Sequence, residues 1–456
     1  MHLVILGNGI AGVTAARFVR KLSDHRITII SGESDHFFSR TALMYIYMGH
    51  MRYEDTKPYE DWFWEKNRIE LRRAWIQSVD TEGKTLLTAD GDRISYDKLL
   101  LATGSTHNTF DWPGQDLENV GGMVSLQDLE RMEAASKDLQ RAVIVGGGLI
   151  GIEMAEMFHS RHIPVTLLVR EKSYWSGVLP EGESAMVNRQ ILSHGIDLRL
   201  GTELDSIQGD DRGRVRSITT KDGEVIECGF VGLTAGVHPN IDFLKGSGIE
   251  TKKGILVDDF LKTNLPDVYA AGDCMEVRNP QEGRKAIEAV WYAGRMSGET
   301  AAYNLCGIPV KYDPGIWFNS AKFIDIEYQV YGTIKSERDE GIESFYWEHP
   351  DGEKSLRIDY EADSGRVIGF NLMGIRYRHE VCDRWLRERT PIQKTIPHLG
   401  LANFDPEFYK EYEPDIVAAF NEQTGSHLQL KTRRGLGKVL SFLRGRPLSS
   451  RDRLVK

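Results

Sequence analysis

The residues with the clearest chemical meaning are two sets of glycines. Gly7-Asn8-Gly9-Ile10-Ala11-Gly12 and Gly146-Gly147-Gly148-Leu149-Ile150-Gly151 both follow the spacing G-x-G-x-x-G. The first glycine of such a set allows a tight turn, the second lets backbone approach a pyrophosphate, and the third lets a helix pack closely on a strand. The amide groups at the helix start then carry about half a positive charge toward the phosphates. Polar groups stand where such a ligand continues. Glu33, just past the strand end at Ser31, suits a ribose hydroxyl. Arg40 stands in the next loop, where it passes the pyrophosphate side of a bound dinucleotide. Gly272-Asp273 offers a carboxylate for hydroxyls, and Glu153 lies two residues beyond the second glycine set. The cysteines Cys228, Cys274, Cys306 and Cys382 stand far apart, without the spacing of a zinc site, a disulfide framework or a dithiol centre. No metal site is expected.

The elements needed to position these residues are written around them. Leu3-Val4-Ile5-Leu6 reads as a buried strand and Ala11 to Lys21 as the helix after it. Ala142-Val143-Ile144-Val145 and Ile152 to His159 repeat that order around the second set. Each unit has a second strand, Arg26 to Ser31 and Pro164 to Val169. Each also has a later apolar strand ending in small residues, Ile94 to Gly104 and Gly229 to Asn240. Asn264 to Asp273 reads as one more strand, and Lys285 to Leu305 as a helix with small residues on one face. The Pro-, Gly- and Asp-rich stretch from Phe110 to Gly122 reads as a crossover between domains. Two complete nucleotide folds imply two cofactors. FAD held in the first and NADH or NADPH visiting the second would let a hydride pass between stacked rings.

The totals agree with a multidomain globular chain: 456 residues, 41% apolar and 27% charged, with a net charge of −10. That charge argues against nucleic-acid binding by the body of the protein. The first strand begins at residue 3, leaving no room for a signal peptide, and no apolar run reaches the ~18 residues of a membrane helix. The expected location is cytoplasmic.

Five motifs in order, G-N-G-I-A-G, Y-D-K-L-L-L-A-T-G, G-G-G-L-I-G-I-E, A-G-V-H-P-N and V-Y-A-A-G-D, make residues 1–335 resemble the FAD-dependent pyridine nucleotide-disulfide oxidoreductase superfamily. Phe38-Ser39-Arg40-Thr41-Ala42-Leu43 and Gly315-Ile316-Trp317-Phe318-Asn319-Ser320 resemble its ferredoxin and rubredoxin reductase branch. The resemblance implies an α/β chain of two three-layer Rossmann-like dinucleotide-binding domains plus a C-terminal α+β interface domain. It places an FAD domain at 1–112 and 252–310, an NAD(P)H domain at 113–251, the third domain at 311–430 and a tail at 431–456. It implies FAD contacts from Gly7, Gly9, Gly12, Thr103, Gly104, Gly272 and Asp273. Nicotinamide-cofactor contacts would come from Gly146, Gly148, Gly151, Glu153 and Gly236.

Three departures qualify that likeness. The redox cysteine pair is missing. A lysine that the branch carries five residues after the arginine, paired with the glutamate of the second motif, is here Tyr45, so Tyr45 and Glu153 stand at the reacting rings without that cation. The second unit's strand ends in Val169-Arg170, which favours the 2′-phosphate of NADPH, although Glu171 follows and suits NADH. Residues 431–456 hold nine Lys or Arg and one acid, Asp452, a net of +8 that leaves about −18 on the rest. Leu436, Val439, Leu440 and Leu443 give this tail one apolar helical face. Three functions follow. The first passes electrons from NAD(P)H through FAD to a small iron–sulfur protein such as a ferredoxin. The second is a quinone oxidoreductase, peripheral on a membrane through the tail. The third is a redox-gated binding flavoprotein resembling apoptosis-inducing factor. A homodimer or a larger redox complex is compatible with each.

Overall fold

The computed structural model describes residues 1–405 and 410–431. The chain divides into two compact units, residues 1–328 with 335–337, and residues 329–334 with 338 onward. In chain order, the strands that position the site are β1 (His2–Leu6), β2 (Arg26–Ser31), β3 (Ile69–Arg73), β4 (Lys98–Leu101), β5 (Val120–Gly121) and β6 (Ala142–Val145). They continue as β7 (Val165–Val169), β8 (Asp197–Leu200), β9 (Phe230–Leu233), β10 (Val268–Ala270) and β11 (Phe318–Phe323). The helices are α1 (Ile10–Leu22), α2 (Leu43–Tyr47), α3 (Leu126–Ala135), α4 (Leu149–Ser160) and α5 (Trp291–Leu305).

Within the first unit, β10-β4-β1-β2-β3 form one parallel sheet. A second parallel sheet runs β8-β7-β6-β9-β5. Strands covered on both faces need apolar side chains on both, which is why they read as continuous runs. Leu3, Val4, Ile5, Leu99 and Leu100 have no exposed surface, nor do Val143 and Ile144. Burying each such side chain contributes about 1.5–3 kcal/mol. Each sheet is the middle of three layers. Over the first lie α1 and α5 on one side. An antiparallel meander of Ile76–Asp80, Thr85–Thr88 and Arg93–Ser95 supplies Val79, Leu86 and Ile94 to the same core. The second sheet has α4 and a meander of Leu204–Gly209, Val215–Thr220 and Val225–Glu227, whose Ile207 and Ile218 pack on Val143 and Val231. The three-layer α/β expectation therefore holds for both nucleotide folds.

The second unit is α+β, as expected. Ile342–Glu348, Ser355–Glu361 and Val367–Met373 pair antiparallel. Helices His379–Arg387 and Glu413–Thr424 cover one face through Phe370 on Trp385 and Phe345 on Phe420, with ring centroids 5.9 and 5.1 Å apart.

Several element boundaries differ from the sequence reading. The run Ile94 to Gly104 is two strands in two sheets, broken where Tyr96 N–H donates to Lys84 and Asp97 N–H to His2. Gly229 to Asn240 divides into β9 and a short strand, Val237–Pro239. The helix expected from Lys285 begins at Trp291, because residues 284–288 are spent on a buried local pair: Arg284 bonds Glu288, which also accepts from the Lys285 N–H. Alternation from Ala321 to Gly332 is interrupted at Ile324, whose φ of 55° turns the chain between β11 and Ile326–Gly332. Of the basic tail only Lys431 is described, so its amphipathic stretch lies outside the described residues. No described helix is long and apolar enough to cross a membrane.

The α1–α5 contact is the tightest helix crossing at the site. A Cβ on Gly298 would stand 2.3 Å from the Ala11 carbonyl oxygen. Gly298→Ala is therefore expected to cost about 1–3 kcal/mol, read as a lower urea midpoint. An unchanged midpoint would show that the two helices can separate freely.

Candidate functional site

Both glycine sets sit where the sequence puts them, at the C-terminal ends of β1 and β6. Gly7 takes φ +113°, and a Cβ there would lie 2.1 Å from the Ala102 oxygen, so no other residue makes this turn without displacing β4. Gly9 caps α1 and Gly148 caps α4. Neither helix has a side-chain cap or an acid in its first turn. Nothing lies within 4 Å of where a Cβ would stand on Gly9 or on Gly148. Each helix thus opens on free amides and open space, the donor set and the room that a pyrophosphate takes. Asn8 braces the first turn by donating to the Ser34 carbonyl and hydroxyl, both at 3.0 Å.

The first cleft gathers four more of the expected residues. Arg40 grips Glu33 with both terminal nitrogens, at 2.7 and 2.6 Å. The same carboxylate accepts from the Leu126 N–H at 2.9 Å, and Arg40 also donates to the Val124 carbonyl. Sequence reasoning placed Glu33 and Arg40 as separate cofactor contacts. The structure makes them one bidentate pair that ties the loop after β2 to the start of α3. Arg40 keeps 43% of its side chain exposed, inside a crevice deep enough that burial works against its charge. The bonds to Glu33 and the nearby Asp273 and Asp128 outweigh that burial, and its pKa is raised. Asp273 is surrounded by protein, which pushes its carboxyl above the usual range. Ser105 donates to it at 3.1 Å and Arg40 opposes the shift. Gly272 donates its N–H to the Ser297 hydroxyl at 3.0 Å.

Thr103, Gly104 and Gly236 form a joint between the two sheets. Ser105–His107 pairs antiparallel with Val237–Pro239. Asn240 N–H donates to Gly104, Thr103 Oγ1 to Asn240, and Asn108 N–H to Gly236. The segments leaving the C-terminal ends of β4 and β9 are thereby stitched together.

In the second fold, Arg170 and Glu171 pair with each other at 2.9 Å past the end of β7, with 73% and 35% of their side chains exposed. Glu153 lies on α4 with Glu156 one turn beyond, and Tyr174 donates to the Gly148 carbonyl at 2.7 Å. Burial, and then the charge of Glu156, push the Glu153 carboxyl up to about 7. Tyr45, on α2, stacks near His50 with centroids 6.1 Å apart. A cation does reach α4, at Glu156 rather than at Glu153. Lys322, from β11, bonds Glu156 at 2.9 Å. Lys322 was missed because a strand 166 residues away carries it. Cys228, Cys274 and Cys382 are buried, and burial raises their thiols, the opposite of what a nucleophilic thiol needs.

The family model described as pyridine nucleotide-disulphide oxidoreductase matches residues 1–296. The chain belongs to that family. Nitrite reductase [NAD(P)H] of Bacillus subtilis (strain 168) is 32% identical over 351 residues, 75% of this chain and 42% of that protein. The chain thus spans about two-fifths of that relative, and about half of the assimilatory nitrate reductase electron transfer subunit from the same organism. The 5,5'-dehydrodivanillate O-demethylase ferredoxin reductase subunit of Sphingobium sp. (strain NBRC 103272 / SYK-6) is 30% identical over 336 residues, 72% of this chain and 81% of that one. A ferredoxin reductase structure from Rhodopseudomonas palustris shares the fold at a TM-score of 0.74 with 24% identity, covering 82% of this chain and 91% of the other.

Glu153 gives a pH test. Its raised pKa means that the unfolded chain loses this proton near pH 4.5 and the folded chain near 7, so its stability penalty is absent below about 4.5, grows through that window and is complete above. Glu153→Gln removes the penalty. Its advantage in urea midpoint over the parent should be near zero at pH 4.5, widen to about pH 7 and stay level above. A constant difference would contradict the placement of Glu153.

Proposed function

We propose that the chain is an FAD-dependent NAD(P)H oxidoreductase that passes electrons onward to a small iron–sulfur protein. The observation that supports this reading most is the pair of uncapped glycine turns, one in each fold, with the segments that leave β4 and β9 paired as Ser105–His107 on Val237–Pro239. In domain terms, residues 1–112 and 252–310 hold FAD, residues 113–251 hold the nicotinamide nucleotide, residues 311–430 form the third domain, and residues 431–456 are a basic tail. When bound, the flavin supplies the redox chemistry: NAD(P)H and a proton convert FAD to FADH2 and NAD(P)+, and two electrons then leave for the acceptor.

The rest is the work of this chain's residues. The first-turn amides of α1 and α4 hold a pyrophosphate each. Arg40 adds a fixed cation in the first cleft, and Glu33 is placed to accept from a ribose once its grip on Arg40 is shared. Asp273 accepts from ribityl hydroxyls, while Thr103, Gly104 and Gly272 shape the wall beside it. Gly236 keeps the opposite wall low. Glu153, with Tyr45 nearby, meets the nicotinamide end, where a carboxyl that titrates near neutral pH can hold a proton. We read Arg170 as the contact for a 2′-phosphate, which favours NADPH, because its guanidinium stands well exposed past the strand end. The iron–sulfur acceptor is supported by the ferredoxin reductase subunit among the relatives and by the likeness to a putidaredoxin reductase solved with putidaredoxin.

Anaerobic titration with NADH and NADPH, followed by a panel of acceptors, tests this. The purified protein should be yellow, be bleached faster by NADPH, and reduce a ferredoxin or rubredoxin. Arg170→Ala should weaken NADPH binding about tenfold, the worth of one charge-assisted contact, and leave NADH unchanged. A colourless protein, or one that bleaches with neither nucleotide, overturns the reading.

A further inference from the structure

Helix α4 carries the Lys322–Glu156 ion pair on the face that also bears Glu153. Glu153 and Glu156 lie three residues apart on α4 and therefore share a face. Glu156 is 7% exposed, and its Oε1 accepts from Lys322 Nζ at 2.9 Å. Burial works most strongly against the lysine's charge, but the bond to Glu156, the charge of Glu156 and that of Asp325 together outweigh it and hold the ammonium above its ordinary pKa. The other groups around this face are accounted for. Strands β6, β7 and β9 pack on α4 and bring no ionisable side chain. Helix α2 brings Tyr45 and Tyr47, and Tyr174 comes from the loop after β7. His159 lies edge-on to His194 at the far end of α4, where Arg161 pairs with Glu133. Asp325, beyond β11, acts on Lys322 and bonds His194.

We infer that Lys322 is a positioning residue: by pinning Glu156 it fixes the acidic face of α4, and so sets how Glu153 meets the nicotinamide. The inference rests on the reading that α4 opens the nicotinamide site. A charged carboxylate beside Glu153 makes its ionisation costlier, and a cation bound to that carboxylate offsets part of the cost. Lys322 is that cation at Glu156. Without it the charge of Glu156 acts on Glu153 unopposed, and the Glu153 step moves to higher pH. Without the charge of Glu156, the Glu153 carboxyl instead faces an unmatched cation, and the step moves to lower pH. A purely structural lysine would give no such opposite signs.

The test uses the intact, flavin-loaded protein with Lys322→Met, Lys322→Arg and Glu156→Gln. Glu153 is followed by its carboxylic-acid C=O stretch in infrared pH titrations, identified by its loss in Glu153→Gln. Flavin reduction by NAD(P)H is followed against pH in parallel. Lys322→Met should raise the infrared step by about one pH unit, carry the inflection of the reduction rate with it, and leave flavin content unchanged. Glu156→Gln should lower both, and Lys322→Arg should restore the parent values. If Lys322→Met does not fold, the double variant Lys322→Met with Glu156→Gln, which leaves no unpaired charge, decides instead: its Glu153 step should lie above that of Glu156→Gln alone, and an equal step overturns the inference. A Glu153 titration that Lys322→Met does not move, or that moves the same way in Lys322→Met and Glu156→Gln, overturns the inference. A parent flavin that neither NADH nor NADPH reduces overturns the proposed function instead, while the infrared shift still judges Lys322.

Discussion

At the starts of α1 and α4 the chain leaves backbone amides without a side-chain partner, on helices whose first turns hold no acid. Most helices satisfy some of those donors with a capping Ser, Thr, Asp or Asn, as Ser125 does for α3 by accepting from the Asp128 N–H. A glycine at the cap gives up that bond. What it gains is open space and a field of positive sign, and only a ligand rich in acceptors and negative charge restores the missing interactions. The parallel sheets, the covered faces that make them apolar, and the positive φ of Gly7 all serve to hold those two amide clusters at strand ends.

A second constraint couples the clusters. The short antiparallel ribbon of Ser105–His107 and Val237–Pro239 joins the chain segments leaving β4 and β9, each next to the central strand of its sheet. The Glu33–Arg40 pair, through Val124 and Leu126, fastens the loop after β2 to the beginning of the second fold. Arg161 adds a third tie from the end of α4 to the Tyr47 carbonyl and Glu133. Each bond is modest, about 1–3 kcal/mol for one involving a charge. Together they tie the segments at the C-terminal edges of the two sheets to one another.

Much of this was legible in the sequence because its carriers are local. A buried parallel strand, a glycine turn and a helix are contiguous, so Leu3 to Leu22 and Ala142 to Ser160 announce themselves. What could not be read is what side chains from distant segments do to one another. Glu33 and Arg40 were identified one by one, but their mutual grip depends on where the loop between them folds. Lys322 lies in an unremarkable alternating run and becomes part of the site only because β11 packs on α4. Boundaries failed for the same reason. Arg284 and Glu288 have a spacing that suits a helix, yet their buried side chains close a loop before Trp291, and Ile324 breaks an alternation that composition alone would continue.

The most direct test of the paired-cradle account counts bound nucleotides. Native mass spectrometry of the intact chain with FAD, and then with NADP+ or NAD+ added, should give one FAD followed by one nicotinamide nucleotide without displacement. Gly9→Asp should remove only the first and Gly148→Asp only the second. A single nucleotide per chain, displaced when the other is added, would contradict it.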